Sequence, residues 1–261
     1  MLKVEDKRMY ALITGATSGI GLEIAKILAN MQYNLILVGR RTERLEQISK
    51  DLSNKHNIEV DTFNCNLANI EQCKQLLEYT NKYTDISIVI NAAGFGKVGY
   101  VENSIDKDDI EMVNTNVISL QLITKHFAKK MKKGNIVNIG SIAGTAPIPY
   151  MATYGATKAY VISYGMALNY ELRKCKKQVH ITTACPGPVD TEFDDVAGSK
   201  FRWKGMKSEK CAMKIVKAMK KNRSLVMIGL KTKVAYAGLK ILPSCIALPV
   251  EFRLQKKKTG D

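Results

Sequence analysis

Ser141, Tyr154 and Lys158 put a hydroxyl, a phenol and an ammonium into one short stretch, Ser141-Ile-Ala-Gly-Thr-Ala-Pro-Ile-Pro-Tyr-Met-Ala-Thr-Tyr154, with the lysine just beyond. A tyrosine four residues before a lysine shares a helix face with it, one turn apart. The ammonium favours the phenolate, so the phenol's pKa is expected to fall from about 10 toward the working range. Such a phenol can hand a proton to a carbonyl oxygen while a hydride arrives at the carbon.

The pair alone says little, because the chain repeats it at Tyr154/Lys158, Tyr170/Lys174 and Tyr236/Lys240. Context separates the three. Only Tyr154 lies in a run of small residues, Tyr-Gly-Ala-Thr-Lys-Ala, and only it follows a serine at the end of an apolar run, Asn135–Gly140. Lys174 belongs to the basic cluster Arg173–Lys177, which reads as a solvated helix end, and Lys240 sits in a basic, irregularly patterned tail.

Apolar runs and helical patterns alternate around this stretch. Strands are expected at Met9–Thr14, Asn34–Val38, Ile58–Asn64, Ile86–Asn91, Asn135–Gly140, Gln178–Ala184 and Leu225–Ile228, with helices over about Gly19–Met31, Glu43–Leu52 and Ser208–Lys221 among the intervening segments. Strands rich in Ile, Val and Leu on both faces, alternating with helices, indicate an α/β fold whose parallel sheet is covered on both sides. A chain of 261 residues with 46% hydrophobic content can bury such a core. No linker divides it.

The first strand runs into Thr14-Gly-Ala-Thr-Ser-Gly-Ile-Gly21. Glycines at 15, 19 and 21 permit a tight turn and a close backbone approach, and the following helix N-terminus offers N–H groups to a pyrophosphate. The end of strand two reads Leu37-Val-Gly-Arg40-Arg41, with Glu43 as the first acid. A site for NAD carries an acid there to hold the ribose 2′-hydroxyl; two guanidiniums suit a 2′-phosphate. The alternative is that Arg40 and Arg41 merely open a solvated helix. The reading therefore favours NADP(H) over NAD(H).

Six cysteines (65, 73, 175, 185, 211 and 245) are scattered without a Cys-x-x-Cys pair, fitting buried reduced thiols in a cytosolic protein. Three widely separated histidines (56, 126 and 180) give no ligand spacing, so no metal site is expected. The charged start, Met1–Arg8, lacks the apolar run of a signal peptide, and no stretch is long enough to span a bilayer. Charge is uneven: of a net +16, residues 200–261 carry 17 Lys+Arg and 3 Asp+Glu, or +14. That imbalance belongs to the tail rather than to the fold.

With these motifs in order, the chain resembles the short-chain dehydrogenase/reductase family over roughly residues 8–230. The resemblance implies a single-domain Rossmann-type doubly wound sheet over 1–230, followed by a basic, partly apolar tail at 231–261. It implies a catalytic set of Asn116, Ser141, Tyr154 and Lys158. Tyr154 would act as general acid or base, Lys158 would lower its pKa and hold the nicotinamide ribose, and Ser141 would bond the substrate oxygen. Asn116, in Asn114-Thr-Asn-Val117, would hold a water linking Lys158 to solvent. Gly15, Thr17, Ser18, Gly19, Ile20 and Gly21 would form the cofactor turn. Asn91, Ala92 and Gly94 would border the cofactor, Asn66 and Leu67 would lie near the adenine, and Pro186, Gly187, Val189 and Thr191 would contact the nicotinamide side. Where the family commonly has an Asp near the adenine, this chain has Asn66, whose amide oxygen still accepts a hydrogen bond. Dimers or tetramers are implied as well.

Substrate choice is expected from Pro188–Met206, where Phe193, Phe201 and Trp203 mix with Arg202, Lys204 and, just beyond, Lys207. A lipophilic carbonyl compound with an anionic end suits this mixture; so does a simple cover for the core. The tail run Leu239–Val250 is too short and too interrupted by proline to cross a membrane, but apolar residues flanked by cations suit an anionic membrane surface. A substrate lid, a subunit contact and an acidic carrier protein compete with that reading. More loosely, such tails resemble those of long-chain 3-ketoacyl reductases and hydroxysteroid dehydrogenases. Nucleic acid ranks low, because no recognition motif accompanies the charge. The expected protein is thus a cytoplasmic NADP(H)-dependent carbonyl reductase, with peripheral membrane contact through the tail as an option. The alternative is a non-catalytic cofactor-binding sensor or membrane-associated scaffold.

Overall fold

The protein is described by a computed structural model covering residues 9–200 and 204–259. The N-terminal Met1–Arg8, together with Phe201, Arg202 and Trp203, lies outside the described residues, as does the side chain of Lys240.

Strand β1 (Tyr10–Thr14) leads to helix α1 (Gly19–Asn30), β2 (Asn34–Gly39), α2 (Thr42–His56), β3 (Val60–Asn64) and α3 (Ile70–Tyr79). The second half runs β4 (Ile86–Asn91), α4 (Asp106–Val113), α5 (Leu120–Lys130), β5 (Lys133–Ile139), α6 (Ala152–Lys174) and β6 (Gln178–Pro186). Short strands β7 (Val189–Asp190) and β8 (Met206–Lys207) flank α7 (Phe193–Ala197); then follow α8 (Ser208–Lys220), β9 (Leu225–Ile228), α9 (Leu230–Ile241) and α10 (Ser244–Lys256).

Seven strands form one parallel sheet in the order β3-β2-β1-β4-β5-β6-β9. Strand periodicity decides which core each residue joins. In β1, Ala11 and Ile13 pack with Ile24 and Leu28 of α1 and Ile215 of α8, whereas Leu12 faces Leu76 of α3 and Phe127 of α5. In β2, Leu35 and Leu37 take the first side, Ile36 and Val38 the second. The chain order reverses between β1 and β4, which opens a crevice beyond their carboxyl ends. Thr14 closes its floor: its hydroxyl accepts from the amides of Ala92 and Ala93 at 3.1 Å each.

The expected α/β sheet is found, with all seven strands in place and small shifts at their ends. Helix α2 outruns its expected end at Leu52 by a turn, because Ser53–His56 continue the helix as far as Asn57, whose left-handed φ of 51° stops it. Four cysteines are buried, but Cys175 and Cys245 are exposed, against the expectation that all would be interior. The tail is more regular than its pattern suggested, since α9 and α10 occupy most of it.

Helix α6 carries Tyr154 and Lys158, and its position rests on backbone contact. A Cβ at Gly144 would lie 2.4 Å from the Lys158 carbonyl carbon and 2.6 Å from the Ala159 nitrogen. Backbone cannot yield as a side chain can, so Gly144→Ala must displace the helix. We expect this variant to lose about 1–3 kcal/mol in urea denaturation and to lose turnover more than tenfold through misplacement of the two side chains.

Candidate active site

A cavity of about 710 Å³ runs along the carboxyl ends of the strands. At one end the turn after β1 forms a cradle. Gly15 adopts φ 66°, and a Cβ there would lie 2.8 Å from the Ala93 amide nitrogen; a Cβ at Gly21 would lie 2.3 Å from the Gly15 carbonyl oxygen. Only glycine fits both places. Thr17, Ser18, Gly19 and Ile20 line the cavity with them, and the Ser18 side chain makes no bond to the first turn of α1. Those first-turn N–H groups are the usual place for an anion. Asn66 and Leu67 border the same end, Asn66 Oδ1 accepting from the Ala68 amide at 3.2 Å.

Arg40 and Arg41, both exposed, line the rim of the cavity. The Arg41 guanidinium donates to Thr17 Oγ1 (2.8 Å), to Ser18 Oγ (2.9 Å) and to Glu192 Oε2 (2.8 Å). Arg44 donates to the other oxygen of Glu192 at 2.7 Å. The two guanidiniums hold the Glu192 carboxyl down at about 2, Arg41 contributing first. Glu192 thus reaches across the cleft from the segment between β7 and α7, 151 residues from Arg41. Neither Glu192 nor Arg44 stood out in the sequence; only the fold shows that they meet.

At the centre of the cavity lie Ser141, Tyr154 and Lys158, exposed by only 9%, 8% and 5%. Ser141 follows β5 and caps a short turn, its hydroxyl accepting from the Ala143 amide at 3.1 Å. The Tyr154 ring packs 5.2 Å from Phe193. Lys158 Nζ lies 5.7 Å from the Tyr154 ring centroid and donates to the Ile139 carbonyl at 2.8 Å.

The expected acidification of the phenol is not what this geometry gives. Burial pushes Tyr154 up to about 12, with a hydrogen bond from Ser141 acting against it and the charges of Cys185 and Asp194 adding to it. Burial likewise pulls Lys158 down to about 8, a nearby Cys185 opposing the shift. Dehydration is the largest cause at both groups. At neutral pH the phenol keeps its proton, and the ammonium sits close to its titration point.

Two expected site residues do not line the cavity. Asn91 points into the sheet, where its amide donates to Thr124 Oγ1 (3.0 Å) and Asn138 Oδ1 (2.9 Å). It ties β4 to α5 and β5. Asn116, in a π-helical turn over Asn114–Ser119, is fully buried. Both hydrogens of its amide are spent, on the Phe95 carbonyl (2.8 Å) and Thr157 Oγ1 (3.1 Å), and its oxygen accepts from the Phe95 amide (3.1 Å). It holds the wall segment next to Gly94, where a Cβ would lie 2.9 Å from Asn116 Oδ1 and 3.4 Å from Lys158 Nζ. Ala92, Gly94, Pro186, Gly187, Val189 and Thr191 do line the cavity.

The far end of the cavity is apolar, with Phe95, Ile148, Met151, Phe193 and Val196 as walls. The C-terminal helices complete it through Ala235, Leu239, Leu254 and Gln255, joined by Lys258 just past α10. Burial lowers the pKa of Lys258, opposed by Asp194 and Glu251, and its Nζ lies 3.9 Å from Met151 Sδ. Leu239, Leu254 and Lys258 are site residues that the tail's sequence pattern hid. The Tyr170/Lys174 pair lies elsewhere, with Tyr170 exposed and Lys174 Nζ 5.3 Å from its ring centroid. Among the described residues no cluster of His, Cys, Asp and Glu could hold a metal ion.

Both the sequence and the fold of this chain are similar to those of known proteins. The chain is 31% identical over 195 residues to the 3-oxoacyl-[acyl-carrier-protein] reductase FabG of Rickettsia prowazekii, covering 74% of this chain and 77% of that protein. Its fold matches a short-chain dehydrogenase from Sphingobium yanoikuyae solved in complex with NADPH, with a TM-score of 0.81, 25% identity and coverage of 89% and 92%. A short chain dehydrogenase/reductase from Burkholderia phymatum in complex with NAD shares the fold, with a TM-score of 0.80, 22% identity and coverage of 88% and 92%. The sequence profile of the short chain dehydrogenase family matches residues 9–200, and the chain belongs to that family of oxidoreductases.

Proposed function

We propose that this protein interconverts a ketone and a secondary alcohol on a lipophilic substrate, using NADP(H). One observation carries the reading: Ser141, Tyr154 and Lys158 meet on the wall of a single cavity whose one end is a glycine cradle with arginines on its rim and whose other end is apolar. The residues present fit a dinucleotide. The Gly15–Gly21 turn lines the cavity at the start of α1, whose first-turn N–H groups would receive a pyrophosphate, and Arg40 and Arg41 on the rim, with Arg44 joined to Arg41 through Glu192, would supply cations to a 2′-phosphate. Bound there, the cofactor would supply or accept the hydride.

The chain's own residues handle the proton and the orientation. Tyr154, kept protonated by burial, donates its hydroxyl proton to the carbonyl oxygen during reduction. Ser141 bonds the same oxygen and stabilises the charge that develops there. Lys158, held by the Ile139 carbonyl, supplies the positive charge that supports the phenolate left behind. The apolar walls position the carbon skeleton and exclude water. The bacterial reductase noted above acts, by its name, on 3-oxoacyl groups, which fits a lipophilic ketone in this cavity.

Tyr154→Phe removes the transferable proton and leaves the cavity's shape. It should lower turnover of a ketone panel roughly 10²–10⁴-fold while NADPH binding, read by fluorescence, stays within about twofold of the unaltered protein. Near-normal turnover would sink the mechanism, and tight NADPH binding without turnover in the unaltered protein would favour a sensor.

Cofactor choice has its own test. Arg41→Ala should weaken NADPH roughly 10–100-fold through loss of a charge-assisted bond and leave NADH nearly unchanged. Glu192→Gln, which frees both guanidiniums from their carboxylate, should tighten NADPH several-fold. Titration calorimetry with both nucleotides reads both effects, and equal losses for NADPH and NADH would refute the preference.

Lys158 also leaves a mark on stability. Its folded pKa of about 8 lies below the ordinary 10.5, so between these values the unfolded chain binds the extra proton and stability rises with pH. Below pH 8 the penalty is fully present, roughly 3 kcal/mol. Lys158→Met should remove this rise, seen as the difference between the two proteins' urea midpoints at pH 7 and pH 10.

A further inference from the structure

The C-terminal helices present their apolar side to solvent. On α9, Leu230, Val234, Ala237 and Ile241 follow at intervals of four, three and four and so share one face. Leu230, Val234 and Ile241 are exposed by 78%, 65% and 82%. Thr232 and Leu239 occupy the opposite face, Thr232 buried near Gly187 and Leu239 lining the cavity. Leu242 in the connection to α10, and Ile246 and Val250 one turn apart on α10, are likewise apolar and more than 40% exposed. Cations frame this apolar surface: residues 230–259 contain seven Lys and Arg against one Glu, with Lys231 and Lys233 on either flank of the α9 stripe.

We propose that this outward face of α9 and α10 docks peripherally on an anionic lipid membrane. An apolar stripe edged by lysines matches the boundary between acyl chains and acidic headgroups, burying the stripe and pairing the cations together. The helices, 12 and 13 residues long, are too short to span and lie along the surface. A second copy of the chain is a poor occupant, since a self-complementary contact would press two strongly basic surfaces together. The face adjoins the cavity, because Ala235 and Leu239 on α9 line its apolar end. A lipophilic substrate dissolved in the bilayer would then enter without crossing water. That consequence rests on the function proposed above, whereas the docking itself does not.

The test is co-sedimentation of the full chain with phosphatidylcholine vesicles, with and without phosphatidylserine. The fraction bound should be roughly tenfold or more higher on the anionic vesicles and should fall with added salt. Val234→Asp with Ile241→Asp should abolish binding, and Lys231→Glu with Lys233→Glu should weaken it, while turnover of a water-soluble ketone and the far-ultraviolet circular dichroism spectrum are retained. Absent or equal binding to the two vesicle types would overturn the proposal. So would a concentration-dependent dimer in sedimentation equilibrium that the aspartates abolish, since that outcome assigns the face to a second copy. Turnover without vesicle binding removes only the docking; vesicle binding without turnover removes only the catalytic reading.

Discussion

Removal of water from Tyr154 and Lys158 is the constraint around which the site is arranged. In solution the phenol and the ammonium titrate close together, near 10 and 10.5. Inside the cavity they separate, the phenol to about 12 and the amine to about 8. The lysine becomes the easier group to deprotonate. A phenolate beside an ammonium is thus a state the resting protein avoids, and the phenol stays loaded with its proton. The Ser141 hydrogen bond works against burial at Tyr154, so the hydroxyl proposed to bond a substrate's oxygen also eases the charge left on the phenol.

Precise placement matters more for such a pair than for a solvated one, since water is not there to correct a poor alignment. Backbone contacts supply the placement. Gly144 lets the turn after β5 touch α6 at Lys158 itself, and the last carbonyl of β5, at Ile139, takes the ammonium. Asn116 and Asn91 serve the same end without entering the cavity. Asn116 fastens the Phe95 segment to Thr157 of α6, and Asn91 stitches β4 to α5 and β5. The sheet order does the rest. Reversal between β1 and β4 brings the glycine cradle and the β5 serine to one edge, and a helix packed on β5 and β6 carries the tyrosine to them.

The parts readable from sequence were those governed by local rules. Alternation in β1 and β2 follows from burial on both faces, and the Gly15–Gly21 turn from contacts that exclude a Cβ. Ser141, Tyr154 and Lys158 were found through the small residues around them. What stayed hidden depended on distance in space. Nothing near Arg41 announces that Glu192 will share it with Arg44. Nothing in the spacing of Asn116 shows that its amide is spent on Phe95 and Thr157. The sign of the Tyr154 shift was missed for a related reason: a lysine one turn away is visible in a sequence, whereas the loss of water around both groups is a property of the folded cavity.

The tail departs from the usual helix pattern. An amphipathic helix normally buries its apolar stripe, whereas Leu230, Val234 and Ile241 of α9 are exposed. In α9 the buried face holds Thr232 and Leu239 instead. The helix therefore works on two sides at once, closing the apolar end of the cavity inward and offering apolar surface outward. Lys258, in part dehydrated beside Met151 and flanked by Asp194 and Glu251, brings a charge into that end of the cavity from the segment following α10. In the reaction proposed above, chemistry and access would fall to different parts of the chain. Helix α6 would act on the carbonyl, and α9 and α10, which line the apolar end of the cavity, would act on which molecules reach it, so that changes in the tail would alter substrate range without disturbing the proton transfer.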